Sequence, residues 1–145
     1  QPIKKPLAIL AQNQNFNADC LGPDDEANVF EFCLGREKNF EFIGVSLCRR
    51  GKDISDIRQM LDDKNSNAKV IAKIENQEGI QNFDEILQEA DVIQICRQEI
   101  AMELAPEKVL IAQKYMIEKA NLAGKPILVH QQVMDSIIEM SKPSR

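Results

Sequence analysis

Lys69-Val70-Ile71-Ala72-Lys73-Ile74-Glu75-Asn76-Gln77-Glu78-Gly79 places a lysine and a glutamate two residues apart at the end of an apolar run. The run from Lys69 to Ile74 has the length and β-branched content of a buried strand, and the polar residues that follow read as a loop. On a strand, positions i and i+2 point to the same face, so Lys73 and Glu75 share one. An ammonium and a carboxylate together where a strand meets its loop can hold a divalent metal beside a developing enolate or phosphate charge. A solvated ion pair has the same spacing, and at this point both readings stand.

Outward from this stretch, strand and helix patterns alternate, which is the signature of successive βα units and a parallel sheet. Four units are expected. The first has a strand over Phe40–Leu47 and a helix over Asp53–Asp62, with Asp53 as N-cap and Ile54, Ile57 and Leu61 on one face. The second runs from the Lys69–Ile74 strand to a helix over Asn82–Glu89, where Asn82 and Glu85 have capping-box spacing. The third joins a strand at Val92–Ile95 to a helix that starts at Pro106 and stops at Gly124, its apolar face carrying Val109, Ala112, Met116 and Ala120. The fourth pairs Ile127–Val129 with a short amphipathic helix through Val133, Met134, Ile137 and Ile138, ended by Pro143. Residues 1–39 form an N-terminal extension, with an isolated strand at Leu7–Ala11, a polar loop at Gln12–Asn17 and a helix at Asp24–Leu34, so the division expected is 1–39 and 40–145.

The 145 residues, 43% hydrophobic and 28% charged, suffice for one domain with a core. A net charge of −5 argues against nucleic acid as a partner, because phosphate neutralisation needs a basic face. No membrane partner is expected either: apolar runs such as Ile127–Val129 fall far short of the roughly 20 residues that span a bilayer. Cys20, Cys33, Cys48 and Cys96 have neither CxxC pairing nor zinc-like spacing with His130, the one histidine. They read as reduced, mostly structural thiols of a cytoplasmic protein. His130 follows an apolar strand, and as a lone histidine it reads as structural; Arg49 and Arg50 read as an exposed surface pair and Asn76–Glu78 as a solvated turn.

The stretch KVIAKIENQEGIQNFDEILQEADVIQICRQEIAMELAPEKV, from Lys69 to Val109, resembles the central part of the catalytic barrel of the pyruvate kinase family. The likeness continues through Ala112-Gln113-Lys114, Gly124-Lys125-Pro126 and Lys142-Pro143-Ser144-Arg145, and weakly upstream to Leu21. It implies a β/α barrel of the TIM type, of which four βα units are half, with catalytic groups at the carboxyl ends of the strands. A half-barrel leaves two strand edges open. The expectation is therefore a piece of a longer polypeptide, a half-barrel whose edges another chain or barrel segment covers, or an open sheet refolded in the flavodoxin manner.

The candidates that the resemblance implies are Ser46, Lys73, Glu75, Glu99 and the His130–Gln131 pair. Lys73 matches the lysine that stabilises the transferring phosphoryl group, and Glu75 the glutamate that binds magnesium. The second magnesium ligand of the family is an aspartate in Ala-Arg-Gly-Asp-Leu-Gly, here Cys96-Arg97-Gln98-Glu99-Ile100-Ala101. Glu99 keeps the charge but moves it by a methylene, whereas Gln98 and Ala101 replace glycines that let backbone amides approach an anionic substrate. Ser46, Arg97 and Gln98 are the implied substrate contacts. The threonine of Ala-Thr-Gln-Met-Leu-Glu-Ser, near the proton-transfer path, becomes Gln131, and an amide is neither acid nor base near neutral pH. The family's potassium site and much of its nucleotide contact lie before the matched stretch, so no potassium site is expected in this chain.

Together these departures predict a catalytically degenerate barrel acting as a structural or binding subunit, with magnesium at Glu75 and Glu99 weak or lost. Residual binding of phosphoenolpyruvate or another organic phosphate through Lys73, Glu75 and Glu99 goes with that reading, whereas the rival expectation is a working phosphotransferase moving phosphate from phosphoenolpyruvate to ADP. A third is a regulatory segment that pairs with an active pyruvate kinase through its edge strands.

Overall fold

A computed structural model describes residues 8–11, 41–63, 65–130 and 136–141. Five strands form one parallel sheet in the order β1 (Ala8–Ala11), β2 (Phe42–Val45), β3 (Lys69–Ile74), β4 (Val92–Cys96) and β5 (Ile127–His130). Each strand pairs with its successor in sequence. A doubly wound sheet reverses its order at a switch point. This one does not, so the flavodoxin-type alternative is set aside and the sheet is part of an α/β barrel. The strand expected to stand isolated near Leu7–Ala11 is instead hydrogen-bonded to β2, Ala8 opposite Phe42 and Ala11 opposite Val45. The helix expected at Asp24–Leu34 and the site position Gln131 lie outside the described residues.

The helices are α1 (Gly51–Asp63), α2 (Gln77–Gln81), α3 (Phe83–Glu89), α4 (Arg97–Glu103), α5 (Pro106–Leu122) and α6 (Ser136–Glu139). α1 starts two residues before the expected N-cap. Asp53 lies inside its first turn and reaches back, its Oδ2 accepting from the Arg49 and Arg50 N–H groups at 2.8 and 3.0 Å. That is the reciprocal half of a capping box, and it satisfies donors that the helix leaves unpaired. The polar run after β3 is a helical turn rather than a solvated loop, because the Oδ1 of Asn76 caps α2 by accepting from the Gly79 N–H at 2.7 Å. Asn82 makes no side-chain cap on α3, against the expected capping box, since its amide is used elsewhere. The turn of α4 after β4 was not anticipated.

The core lies between the sheet and the helices. Val70, Ala72 and Ile74 of β3 and Ile93 and Ile95 of β4 are fully buried, against Ile54 and Ile57 of α1 and Phe83 and Ile86 of α3. Each of the larger side chains contributes on the order of 1.5–3 kcal/mol by leaving water. On α5 only Met116 and Ala120 are buried, with Val109 and Ala112 packed partly against the core. Gly124, at a positive φ of 67°, ends that helix, and the Lys125 ammonium then donates to the carbonyls of Leu87, Gln88 and Ala90 at the end of α3.

The alternate residues of each strand face away from the helices. In β3 these are Ile71 and Lys73, in β4 Gln94 and Cys96, and in β5 Leu128 and His130, which stay exposed while Ile127 and Val129 pack on the core. Register aligns Lys73 with Gln94, Gln94 with Leu128, and Cys96 with His130. The inner face of the sheet therefore carries the polar and charged groups, and the outer face carries the core.

Candidate active site at the carboxyl ends of the strands

Lys73 is the penultimate residue of β3, and Glu75 is the first beyond it. Their side chains meet at 2.6 Å, Nζ to Oε1, with side-chain exposures of 11% and 7%. The pair is buried, which removes the reading of a solvated surface ion pair. The Lys73 ammonium also donates to the Oγ of Ser46, just past β2, at 2.9 Å. The other oxygen of Glu75, Oε2, accepts from the Leu47 N–H at 2.8 Å. Leu47 holds a φ of +55°, in the left-handed region that a leucine rarely adopts. The loop after β2 thus spends backbone strain to aim an N–H at the glutamate of β3.

Cys96, at the end of β4, marks where these charges converge. Burial first, and then the negative charge of Glu75, push its thiol up from 9.0 to about 12; Lys73 opposes the shift and Glu99 adds to it. Glu99 lies in the first turn of α4, half-buried, so the two carboxylates approach Cys96 from different elements. Arg97 opens α4 and is half-buried, whereas Gln98 and Ala101 are exposed. His130 is exposed beside Cys96 on the inner face. It is not a core histidine.

The structure brings Ser46, Lys73, Glu75 and Glu99 to the same end of neighbouring strands. Sequence reasoning missed the Leu47 N–H, for a backbone donor leaves no signal in residue type. It also missed that Arg49 and Arg50 both reach Glu78 across the loops after β2 and β3, Arg50 at 3.3 Å and Arg49 at 3.9 Å. They are a bridge between loops rather than an isolated surface pair. Among the described residues no group of three or more His, Cys, Asp or Glu side chains is placed to hold a metal ion. Glu75 and Glu99 are the carboxylates at this end of the sheet that could take part in holding a cation.

Residues 3–145 match the family model described as the pyruvate kinase barrel domain. The chain belongs to the pyruvate kinase family. It is 41% identical over 145 residues to a pyruvate kinase of Eimeria tenella, covering 95% of this chain and 27% of that protein. It is 40% identical over 111 residues to a cytosolic isozyme of pyruvate kinase from Glycine max, covering 77% of this chain and 22% of the relative. The crystal structure of a pyruvate kinase from Cryptosporidium parvum superposes with a TM-score of 0.77 at 36% identity, over 90% of this chain and 28% of that one. The chain spans about a quarter of the length of these pyruvate kinase relatives.

Proposed function

We propose that this chain supplies the magnesium- and phosphate-binding charges of a pyruvate-kinase-type barrel but is degenerate for turnover, so that it serves as a binding or structural subunit. The observation that carries the retained binding is the buried Lys73–Glu75 pair, fixed on one side by Ser46 and on the other by the Leu47 N–H. A buried ion pair adds little stability over an apolar pair of the same size, so stability alone does not account for it. Glu75 and Glu99 would hold magnesium, which when bound neutralises developing charge on a phosphoryl group. Lys73 would bind a phosphoryl oxygen from the opposite side, and Arg97 would orient an anionic substrate such as phosphoenolpyruvate. Degeneracy rests on Gln98, Ala101 and Gln131. The first two occupy positions where glycine admits a substrate carboxylate to the backbone, and the third removes a hydroxyl from the proton-transfer path. Losses of this kind each lower a rate by about 10²- to 10⁴-fold.

A second reading, an active phosphotransferase, draws support from the same buried pair, since Lys73 and Glu75 stand together at the carboxyl ends of the strands. Its partner in either case is a further stretch of barrel, in this polypeptide or another chain, lying along β5: Leu128 on the inner face and Leu110 and Ile111 on α5 are about half to two-thirds exposed. Placement in the cytosol draws support from the relative named a cytosolic isozyme, and among the described residues no helix is long and apolar enough to cross a membrane.

Two measurements test the proposal. Isothermal titration with magnesium chloride and then phosphoenolpyruvate should give a heat that Glu75→Gln removes, and no heat with the unaltered protein would sink retained binding. Pyruvate formation from phosphoenolpyruvate and ADP, with magnesium and potassium, should be absent or barely above a Lys73→Ala control. A clear rate that Lys73→Ala abolishes would replace the degenerate reading with the active one.

A further inference from the structure

The 46–50 loop that delivers the Leu47 N–H to Glu75 is itself held by the segment that follows Glu75. Three contacts do this, all from α2 and its junction with α3. Gly79 lies so close to the loop that a Cβ built on it would stand 2.4 Å from the carbonyl oxygen of Cys48. The Nδ2 of Asn82 donates to the next carbonyl, that of Arg49, at 2.8 Å. The Glu78 carboxylate accepts from Nε and Nη2 of Arg50, both at 3.3 Å. The first two contacts lie on the carbonyls of the two residues that follow Leu47, the residue whose positive φ sets the direction of the N–H.

We infer that Gly79 and Asn82 are positioning residues for Glu75, acting through the Cys48 and Arg49 carbonyls on the Leu47 peptide. The reason is geometric. Two adjacent carbonyls fixed against α2 and α3 leave the loop no freedom to relax the left-handed Leu47, and the Leu47 N–H stays on Oε2. With Oε2 held and Oε1 on Lys73, the carboxylate plane is set before any ligand arrives, which is the condition for a preorganised cation site. Glycine is required at 79 by the close approach, not by φ. The inference rests on the reading of Glu75 as a cation ligand, and its test separates the two.

The Leu47 amide resonance reports the bond directly in a ¹⁵N-labelled sample, and magnesium chloride titration reports its consequence. Glu75→Gln should shift the Leu47 amide, which assigns the bond. Asn82→Ala should move the same amide and weaken magnesium binding about three- to tenfold, the range that one lost hydrogen bond supports. Asn82→Gln, which keeps an amide donor, should recover part of both. Asp91→Asn, at the amino ends of the strands, is the stability control and should move neither the amide nor the affinity. Gly79→Ala should do more than Asn82→Ala; if it does not fold, the Asn82 series still decides. The inference is overturned if the Leu47 amide is unmoved in Asn82→Ala, or if Asp91→Asn lowers magnesium affinity as much. If the unaltered protein binds no magnesium while the Leu47 amide still answers to Asn82, the positioning stands and the reading of Glu75 as a cation ligand fails.

Discussion

Two charged clusters sit at opposite ends of the same pair of strands. At the amino ends, Asp91 meets Arg58 at 3.1 Å and Lys69 at 3.6 Å and accepts from the Val70 N–H at 2.9 Å. Its partners are one-third to over half exposed. At the carboxyl ends, Lys73 and Glu75 are almost wholly buried. The amino-end cluster ties α1, β3 and β4 together in contact with water, where ion pairs are cheap and worth little. The carboxyl-end pair carries the full desolvation of two charges, with strained backbone added at Leu47. In α/β barrels the first end serves stability and the second serves chemistry. Burial and strain distinguish the two clusters here without appeal to any relative.

The widest gap between the ends should appear in thiol chemistry. Burial and the Glu75 charge push Cys96 up to about 12, which leaves roughly a thousandfold less thiolate than an ordinary thiol at pH 8. Iodoacetamide at that pH should leave the Cys96 peptide unmodified in the native protein and label it in urea, as mass spectrometry would show. Rapid native labelling would mean that the carboxyl end is wetter than its geometry implies.

Next in size is Glu75→Ala. It strands the Lys73 ammonium in a site where only Ser46 remains, and should cost about 3–5 kcal/mol in urea unfolding. The apolar double replacement Lys73→Met with Glu75→Leu should recover most of that loss while abolishing magnesium binding. If the double variant stays as unstable as Glu75→Ala, the pair is a structural bridge and the contrast between the ends disappears.

The sequence made the sheet legible because apolar strand runs alternate with helical periodicity, and it placed Lys73 and Glu75 on one face because strand geometry has a period of two. What it could not supply followed from long-range backbone contacts. Asn82 carries the residue type of a cap, yet its amide is drawn to the Arg49 carbonyl 33 residues away. Asp53 caps from inside the helix rather than at its end, for the N–H groups of Arg49 and Arg50 come to it. The short α2 and α4 escaped notice because five or seven residues are too few for a helical period to show against loop polarity.

Asp91→Asn should have a smaller effect, about 1–2 kcal/mol, the sum of a partly solvated ion pair and a weakened backbone hydrogen bond. Its pH dependence has a definite sign. Burial works to raise the Asp91 carboxyl, but the Val70 N–H, Arg58 and Lys69 outweigh it and hold the group below its ordinary 3.8. A depressed carboxyl contributes stability that is present above the ordinary value and lost as pH falls through the folded one. Melting temperatures of the protein and Asp91→Asn should therefore differ at pH 6 and converge as the pH falls below the ordinary carboxylate range. A constant difference across that window would show that the amino-end cluster acts by packing and not by charge.

The smallest change is expected from Leu47→Gly, and it tests whether strain at the carboxyl end serves the backbone or the side chain. Relief of a left-handed leucine should stabilise by about 1–2 kcal/mol. Loss of a half-buried leucine should cost about the same, half of the value for full burial. The two should nearly cancel, leaving the urea midpoint within about 0.5 kcal/mol of the unaltered protein. The N–H that holds Glu75 survives the substitution, so magnesium affinity should survive as well. Asn65, the other non-glycine residue with a positive φ among those described, lies in the turn after α1 that leads into the amino end of β3. Asn65→Gly should be equally silent in stability, because asparagine tolerates that region. Only a loss of affinity in Leu47→Gly, absent from Asn65→Gly, would show that the leucine side chain itself shapes the site.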